Sequence, residues 1–397
     1  MRAMLRVLTL SSLFPDASRP NFGVFVERQT LGLAAHPDVD LKLVAPLGLP
    51  PWPLSRRGHY APLAALPRHE DWKGVETWRP RFLNLPGTGG RFHAAMLTRA
   101  LTPLLARIRG EFPFDVIDAS FFFPDGPAAV ALGRRFGVPV SIKARGADIH
   151  HWGRAPATAA QVIAAGRAAD GILAVSQAMK ADIAALGIPA ERIRVHHTGV
   201  DLTRFAPRDP HAEKASLGID GPLVVSVGAL IPRKGHDIVI AAVAALPRVQ
   251  LRIAGEGPER PRLAAQIARL GLDARVKLLG SVAHTELPPL LAAADVMALA
   301  SSSEGLANAW VEALASGTPI VITDAGGAAE VVTEPEAGRI AVRSAPAFAA
   351  AIGELLAAPP PRDAVRATAA GFTWEANAAA LYDHLSGLAA AGTQSSG

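Results

Sequence analysis

Ten short apolar runs, separated by segments long enough to form helices, recur along the whole 397-residue chain. The runs are nearly continuous in Val, Leu, Ile and Ala, so both faces of each expected strand are buried. In chain order the runs are 6–11, 39–45, 114–120, 139–144, 171–176, 222–230, 249–255, 275–280, 294–300 and 319–323. Because strands that alternate with helices build βαβ units, the pattern predicts the α/β class with doubly wound parallel sheets.

A polar segment divides these runs into two series of five. Residues 200–221, VDLTRFAPRDPHAEKASLGIDG, are rich in Pro, Asp and Gly, which is typical of a linker between domains. The sequence therefore predicts two Rossmann-like domains, over 1–203 and 204–375, that face each other across a cleft. We expect an amphipathic helix over 376–390 and a disordered tail over 391–397.

Composition narrows the classes of function. The chain contains no cysteine, which excludes disulfides and thiolate chemistry and fits a reducing cytoplasm. No apolar run approaches the roughly 20 residues that span a bilayer. The formal charge is +5, but the basic residues are scattered and do not alternate with aromatic ones, so nucleic-acid binding is not expected. The proline-rich stretch 46–72 predicts an irregular excursion of the first domain.

Ligands of open parallel sheets bind beyond the carboxyl ends of the strands. Arg233 and Lys234 follow the run 222–230 in the stretch IPRKGHD. Two cations beside a helix N-terminus suit a diphosphate, although such residues are also common in solvated turns. After the next run, Gly255 and Glu256 leave two interpretations open: a backbone approach to a ligand or a tight turn that needs glycine.

The stretch SSSEGLANAWVEALASG, residues 301–317, carries two glutamates with seven residues between them. Glu304 lies in the loop after a predicted strand, and Glu312 lies one to two turns along the following helix. Gly305, Leu306 and Ala307 are expected to present unpaired backbone N–H groups at the start of that helix. An ionised carboxylate beside a diphosphate clamp is suited to accept hydrogen bonds from sugar hydroxyls. Solvation of an exposed helix is the alternative.

An ordered series of motifs resembles one family. VGALIPRKGHD, IAGEGP, VKLLGSVAHTELPPLLAAADV and SSSEGLANAWVEALASGTPIV together resemble the retaining GT-B glycosyltransferases that have a Glu–seven residues–Glu motif. HHTGVDLTRFAP is similar to the interdomain segment of that family. LFPDASRPNFGVFVERQ and FFFPDGPAAVAL resemble members that build bacterial cell-surface polysaccharides, such as the teichuronic-acid-type transferases.

The resemblance implies a role for each matched residue of the second domain. Arg233 and Lys234 would bind the diphosphate in place of a metal, so neither a metal nor a cofactor is expected. Glu304, with the backbone of residues 305–307, would hold the donor sugar, and Glu312 would hold the ribose. The resemblance also implies that the last helix crosses back to the first domain.

The first domain would bind the acceptor. Many relatives have two glycines in the first loop, where this chain has only Gly23, and a His where it has Arg145. Arg145, Asp148 and His150 are expected on the acceptor side. A local ion pair between Arg145 and Asp148, capping the loop, is the alternative.

The resemblance implies a retaining, metal-independent hexosyltransferase in polysaccharide or glycoconjugate synthesis. Its expected partners are a nucleotide-sugar donor, with a uracil, guanine or adenine base, and a glycan, lipid-linked or small-molecule acceptor. The protein is expected in the cytoplasm, where peripheral association with the inner membrane is an open alternative. A nucleotide-sugar 2-epimerase and a non-catalytic nucleotide-sugar binding protein remain rival functions.

Overall fold

The computed structural model describes residues 4–394 and divides into two compact units. Unit 1 consists of the chain up to His197 together with the residues from Trp374 onward, and unit 2 is Thr198–Thr373. The predicted boundary at 203/204 therefore lies six residues inside unit 2. Hydrogen bonds join the linker to the rest of unit 2: Val200 N donates to Phe372 O at 2.7 Å, and the guanidinium of Arg366 donates to the carbonyl oxygens of two linker residues.

Unit 1 is built on an eight-stranded sheet with the spatial order β10-β9-β8-β7-β1-β2-β5-β4, in which only the β4–β5 pair is antiparallel. The short strands β3 and β6 form a separate parallel pair. The strands are β1 (Leu5–Leu10), β2 (Val39–Val44), β3 (Leu47–Leu49), β4 (His69–Trp72), β5 (Val75–Trp78), β6 (Arg81–Leu83), β7 (Val116–Ala119), β8 (Val140–Ala144), β9 (Gly171–Ala174) and β10 (Ile193–Val195). The helices are α1 (Val24–Ala34), α2 (Tyr60–Ala65), α3 (His93–Glu111), α4 (Asp125–Phe136), α5 (Ala159–Ala168) and α6 (Gln177–Ala185).

Unit 2 contains a six-stranded parallel sheet with the order β13-β12-β11-β14-β15-β16. Its strands are β11 (Leu223–Val227), β12 (Gln250–Ala254), β13 (Val276–Gly280), β14 (Val296–Leu299), β15 (Ile320–Ile322) and β16 (Gly338–Ile340). Its helices are α7 (Pro210–Ser216), α8 (His236–Ala244), α9 (Arg260–Arg269), α10 (Leu287–Ala293), α11 (Asn308–Ala315), α12 (Ala328–Val331), α13 (Ala345–Ala357) and α14 (Arg362–Ala367).

Burial explains why the apolar runs are continuous. Every residue of β7, β8, β9 and β14 is buried, because helices cover both faces of a parallel sheet. In unit 2 one face of the sheet packs against α8 and α13 through Val239, Val243, Phe348 and Ile352. The predicted α/β class, with two Rossmann-like doubly wound parallel sheets, is confirmed.

The last helix, α15 (Trp374–Gln394), belongs to unit 1. Leu381 and Leu385 join the core of that unit, and His384 Nε2 lies 3.0 Å from the hydroxyl of Ser141. The helix runs four residues into the predicted tail, whose last residues, 395–397, lie outside the described part. Among residues 4–394, no helix combines the length and the apolar character that a membrane crossing requires.

The stretch 46–72 is more regular than its prolines suggest. It contains β3, a single 3₁₀ turn over Leu54–Arg56, α2 and β4. Ala45 N donates to Trp78 O, and Leu47 N donates to Pro80 O, both at 2.8 Å. The β3–β6 pair therefore continues the β2–β5 ladder beyond its carboxyl end.

Candidate active site

The strand order of unit 2 reverses between β11 and β14. Numbered within the unit, the sheet reads 3-2-1-4-5-6, and in such sheets the crevice at the reversal point is the usual ligand site. The loop after β11 carries Arg233 and Lys234, and the loop after β14 carries Glu304. The strand-end rule therefore brings these three predicted residues to the switch point.

The three side chains are in direct contact. Lys234 Nζ donates to Glu304 Oε1 at 2.5 Å, and the hydroxyl of Ser301 donates to the same oxygen at 2.6 Å. Arg233 Nη1 lies 3.4 Å from Glu304 Oε2 and also donates to the carbonyl oxygen of Ser303. Glu304 is only 7% exposed. Two cations share one carboxylate, so this cluster carries one net positive charge and can accept an anion.

Unpaired backbone donors lie next to the cluster. In the chain from 4 to 394, the N–H groups of Gly305, Leu306 and Ala307 donate no hydrogen bond. They precede α11, whose first turn adds the partial positive charge of a helix N-terminus. The carbonyl oxygen of Gly305 accepts from Gly327 N at 2.7 Å, which fixes the loop against the one that follows β15. This arrangement suits a phosphate or a hydroxyl-rich ligand.

Glu312 lies in the second turn of α11 and is 9% exposed. Its Oε1 lies 2.8 Å from Nε2 of His284, in the loop after β13, and the edge of that imidazole meets the ring of Phe205 with the centroids 5.4 Å apart. Sequence reasoning missed His284. The only signal for it was its place after a strand, in the stretch SVAHTEL.

Gly255 and Glu256 separate the two interpretations left open for their loop. A Cβ on Gly255 would lie 1.8 Å from the carbonyl oxygen of Gly228, so glycine is required where this loop packs on the one after β11. Glu256 is exposed and lies 3.4 Å from Nη1 of Arg260. The tight-turn interpretation therefore accounts for this Gly, and the carboxylate of Glu256 is part of a surface ion pair.

In unit 1, Asp148 organises a loop. The carboxylate is completely buried and accepts backbone N–H groups from Phe122, Arg145, Gly146 and Ile149. Burial raises the pKa of Asp148, although these hydrogen bonds act in the opposite direction. All of these bonds go to the backbone of neighbouring residues, and the place of Asp148 on the acceptor side stays a prediction. Asp148 does cap the loop, as the alternative expected, but it binds the backbone amide of Arg145 and not its guanidinium.

The Arg145 guanidinium lies at the carboxyl edge of the unit 1 sheet. Its Nε donates to Ser120 O at 2.7 Å, its Nη2 donates to Gln29 Oε1 at 3.1 Å, and its Cζ lies 5.1 Å from the ring centre of Phe25. Burial lowers the pKa of Arg145 to about 10, so the side chain remains charged at neutral pH. Gly23 is the buried N-terminal cap of α1, in the left-handed conformation.

Two further groups lie near this edge: His150, which was predicted, and Asp125, which was missed. His150 Nε2 lies 2.8 Å from Asp182 Oδ2. Asp125, which the sequence analysis did not single out, is completely buried, and burial raises its pKa to about 7. One of its oxygens accepts from Ser12 N at 2.7 Å, and the other has no hydrogen-bond partner in the described chain. Its signal in the sequence was an Asp at a helix start after a buried strand.

Comparison with known proteins finds family matches for two regions of the chain. Residues 208–371 match the family described as glycosyl transferases group 1, and residues 53–204 match glycosyltransferase family 4. A D-inositol 3-phosphate glycosyltransferase of Mycobacterium bovis is 40% identical over 210 residues, which are 49% of this chain and 44% of the relative. The match thus spans less than half the length of that curated protein.

Solved structures share the fold. Sucrose-phosphate synthase from Thermosynechococcus elongatus has a TM-score of 0.80 at 21% identity and covers 98% of this chain and 100% of its own. Anabaena HepE in complex with UDP has a TM-score of 0.73 at 21% identity and covers 97% and 100%. At this level of identity the likeness establishes the architecture of the two units.

Proposed function

We propose that this chain, made of a glycosyltransferase family 4 region followed by a group 1 glycosyl transferase region, moves a sugar from a nucleoside-diphosphate sugar to an acceptor hydroxyl. The observation that carries the proposal is the contact of Arg233 and Lys234 with Glu304 at the switch point of unit 2. The HepE structures hold UDP and UDP-glucose, which supports a nucleotide sugar as the donor and makes uridine nucleotides the first probes.

The clamp has a direct chemical use in this reaction. As the bond between the anomeric carbon and the diphosphate oxygen breaks, negative charge develops on the leaving group. Arg233 and Lys234 would stabilise that charge, as fixed cations do in other transfers to and from phosphate. They would take the place of a divalent metal, so we propose that the reaction needs none.

We further propose that the anomeric configuration is retained. The acceptor oxygen would bond to the anomeric carbon on the face that the diphosphate leaves, and the acceptor proton would pass to a phosphate oxygen. Glu304 would hold the sugar through its hydroxyls, together with the N–H groups of residues 305–307, and Glu312 would hold the ribose. The acceptor would be a glycan, lipid-linked or small-molecule hydroxyl bound by unit 1, in cytoplasmic polysaccharide or glycoconjugate synthesis.

A donor screen tests this function. Full-length protein is incubated with UDP-, GDP- and ADP-sugars in EDTA, with and without a mixture of glycan and lipid-linked acceptors, and the release of nucleoside diphosphate is followed. We expect release from one donor class that depends on acceptor and survives EDTA. Interconversion of the sugar without release would identify an epimerase, and tight donor binding without either reaction would identify a binding protein. Loss of activity in EDTA with recovery in Mg²⁺ would contradict the metal-independent clamp.

His284 gives a prediction about the ribose. The imidazole fixes one oxygen of Glu312, so His284→Ala should free the carboxylate and weaken binding of a ribonucleoside diphosphate about tenfold, as loss of a hydrogen bond to a charged group does. A 2′- or 3′-deoxynucleotide that lacks the hydroxyl bound by Glu312 has no such contact to lose. The substitution should therefore change its affinity less than that of the ribonucleotide. Calorimetric titration with both kinds of nucleotide measures the difference.

Two variants control this measurement. His284→Gln keeps a donor near Glu312 and should recover part of the affinity, whereas His211→Ala removes an exposed His of α7 in the same unit and should behave as wild type. If His284→Ala weakens ribo- and deoxynucleotides equally, Glu312 does not bind the ribose through this arrangement.

A further inference from the structure

One part of unit 1 exposes large apolar side chains. Trp52 is 76% exposed, and Leu54, two residues later, is also exposed. Leu83 and Phe92, from the same third of the chain, are exposed as well. A Trp left largely in water has an unfavourable hydration cost unless a partner covers it.

These side chains start from neighbouring pieces of backbone. Leu83 pairs with Leu49 in the β3–β6 ladder, so it lies beside the strand that leads to Trp52. Oδ1 of the next residue, Asn84, accepts from Nε2 of His93 at 2.7 Å, which places Phe92 close by. We call this set the apolar–basic surface; its members are Trp52, Leu54, Leu83 and Phe92 with the nearby arginines Arg56, Arg57 and Arg91.

The chain segments that carry these side chains are basic. No Asp or Glu occurs between Asp40 and Glu70, a stretch with four Lys and Arg, and none occurs between Glu76 and Glu111, a stretch with six Arg. Arg56 and Arg57, next to Leu54, and Arg91, next to Phe92, are exposed. Aromatic side chains flanked by basic ones and free of carboxylates complement the boundary of a bilayer that carries anionic headgroups.

The position of the surface connects it to the acceptor. β3 and β6 extend the sheet of unit 1 beyond the carboxyl ends of β2 and β5. Trp52 follows β3, and Phe92 follows β6. Arg145 likewise follows the carboxyl end of β8. The apolar–basic surface and Arg145 therefore both lie beyond the carboxyl ends of strands of the unit 1 sheet.

We propose that the apolar–basic surface docks unit 1 onto a bilayer rich in anionic phospholipid and that the acceptor is anchored in that bilayer. The choice of acceptor rests on the glycosyltransferase function proposed above, whereas the docking does not. Trp52 and Leu54 would insert at the level of the headgroups, and Arg56 and Arg57 would contact the phosphates. A hydroxyl carried by a membrane-anchored acceptor would then approach the edge of the sheet that holds Arg145.

Vesicle flotation tests the docking. Full-length protein is mixed with vesicles of phosphatidylcholine alone or with added phosphatidylglycerol, and the bound fraction is measured over a range of salt. We expect binding to the anionic vesicles that weakens with salt. Arg56→Gln with Arg57→Gln should lower the partition coefficient about tenfold or more, given the usual contribution of each basic residue near such a surface. Trp52→Ser with Leu54→Ser should lower it by a similar factor without any change in charge.

Matched controls come from the same chain. Arg134→Gln with Arg135→Gln removes an exposed arginine pair at the end of α4, and Val342→Ser removes an apolar side chain of unit 2 that is also 76% exposed. Both should float as wild type. Absence of wild-type binding, or equal loss in the control pairs, would overturn the docking. Binding that needs Arg56 and Arg57 but not Trp52, and that RNA competes away, would replace the bilayer by nucleic acid.

Failure of this inference is distinguishable from failure of the proposed function. In vesicle-free buffer, the variants of the apolar–basic surface should release nucleoside diphosphate at the wild-type rate with a short, water-soluble acceptor. On vesicles that carry an anchored acceptor, their rate should fall in proportion to the bound fraction. A wild type that floats but releases no diphosphate from any donor would overturn the function and leave the docking intact, whereas equal rates of all variants on vesicles would overturn the anchored acceptor.

Discussion

Glu304→Gln is expected to lower kcat by about 1,000-fold, the size expected when a charged contact at the reacting centre is lost. Gln has nearly the same volume, so the loop after β14 should keep its course. It loses the negative charge that Lys234 and Arg233 share, and its amide is a weaker acceptor for a sugar hydroxyl. Steady-state rates with the donor found in the screen, and calorimetric affinities for the product nucleotide, measure the effect.

The Kd for nucleoside diphosphate distinguishes the two parts of the cluster. In Glu304→Gln it should stay within a few-fold of wild type, because the cations remain. In Lys234→Met it should rise, because half of the proposed clamp is removed. If Glu304→Gln weakens the nucleotide as strongly as Lys234→Met does, Glu304 acts on the diphosphate through the lysine, and the sugar contact is refuted.

Asp295→Asn is the matched control for Glu304. Asp295 precedes β14 at its amino end, whereas Glu304 follows the same strand at its carboxyl end. It also pairs with a lysine, with Lys214 Nζ at 2.6 Å, and it accepts Leu223 N at 2.7 Å. The control should lose thermal stability and keep kcat. If both variants lose kcat to a similar extent, the ion pairs at the two ends of β14 act only through folding, and Glu304 has no specific role in the reaction.

The fold was predictable because the burial of each strand shows in the strand's own residues. All ten predicted apolar runs form strands, since burial on both faces leaves a mark in residue type alone. Two of the strands that were missed lack this mark. β4 reads HEDW and forms an antiparallel edge hairpin with β5, and β16 is a three-residue edge strand with an exposed Ile340. Edge strands need no apolar run, so composition does not reveal them.

The candidate site was predictable where one rule sufficed. Residues that follow parallel strands meet at one edge, which placed Arg233, Lys234 and Glu304 together. Asp148 also follows a strand, but the rule did not reveal that its carboxylate caps backbone N–H groups of its own loop. His284 escaped prediction for the opposite reason: its contact with Glu312 depends on which loops become neighbours, and the spacing of 28 residues between them carries no such information.

Gly326 is a second residue whose importance only the folded chain reveals, and Gly326→Ala should lower kcat by about 100-fold, the usual loss for a displacement near 1 Å at a reacting centre. The glycine lies in the loop after β15 with a φ of +58°, and a Cβ on it would lie 2.3 Å from Glu304 O and 2.5 Å from Gly305 O. Both neighbours are backbone atoms, so they can yield only by moving the segment that carries Glu304 and the unpaired N–H groups.

Gly271→Ala separates this displacement from ordinary backbone strain. Gly271, also in unit 2, has a φ of +66°, but a Cβ there meets no atom within 4 Å. Gly271→Ala should lose about 1 kcal/mol or slightly more for an Ala in the left-handed region, measured as a lower Tm, and Gly326→Ala should lose more because its Cβ also meets backbone atoms. Only Gly326→Ala should lose kcat. If the two variants keep equal activity, the loop after β15 does not position Glu304; if both lose it, strain in unit 2 and not the backbone contact controls the site.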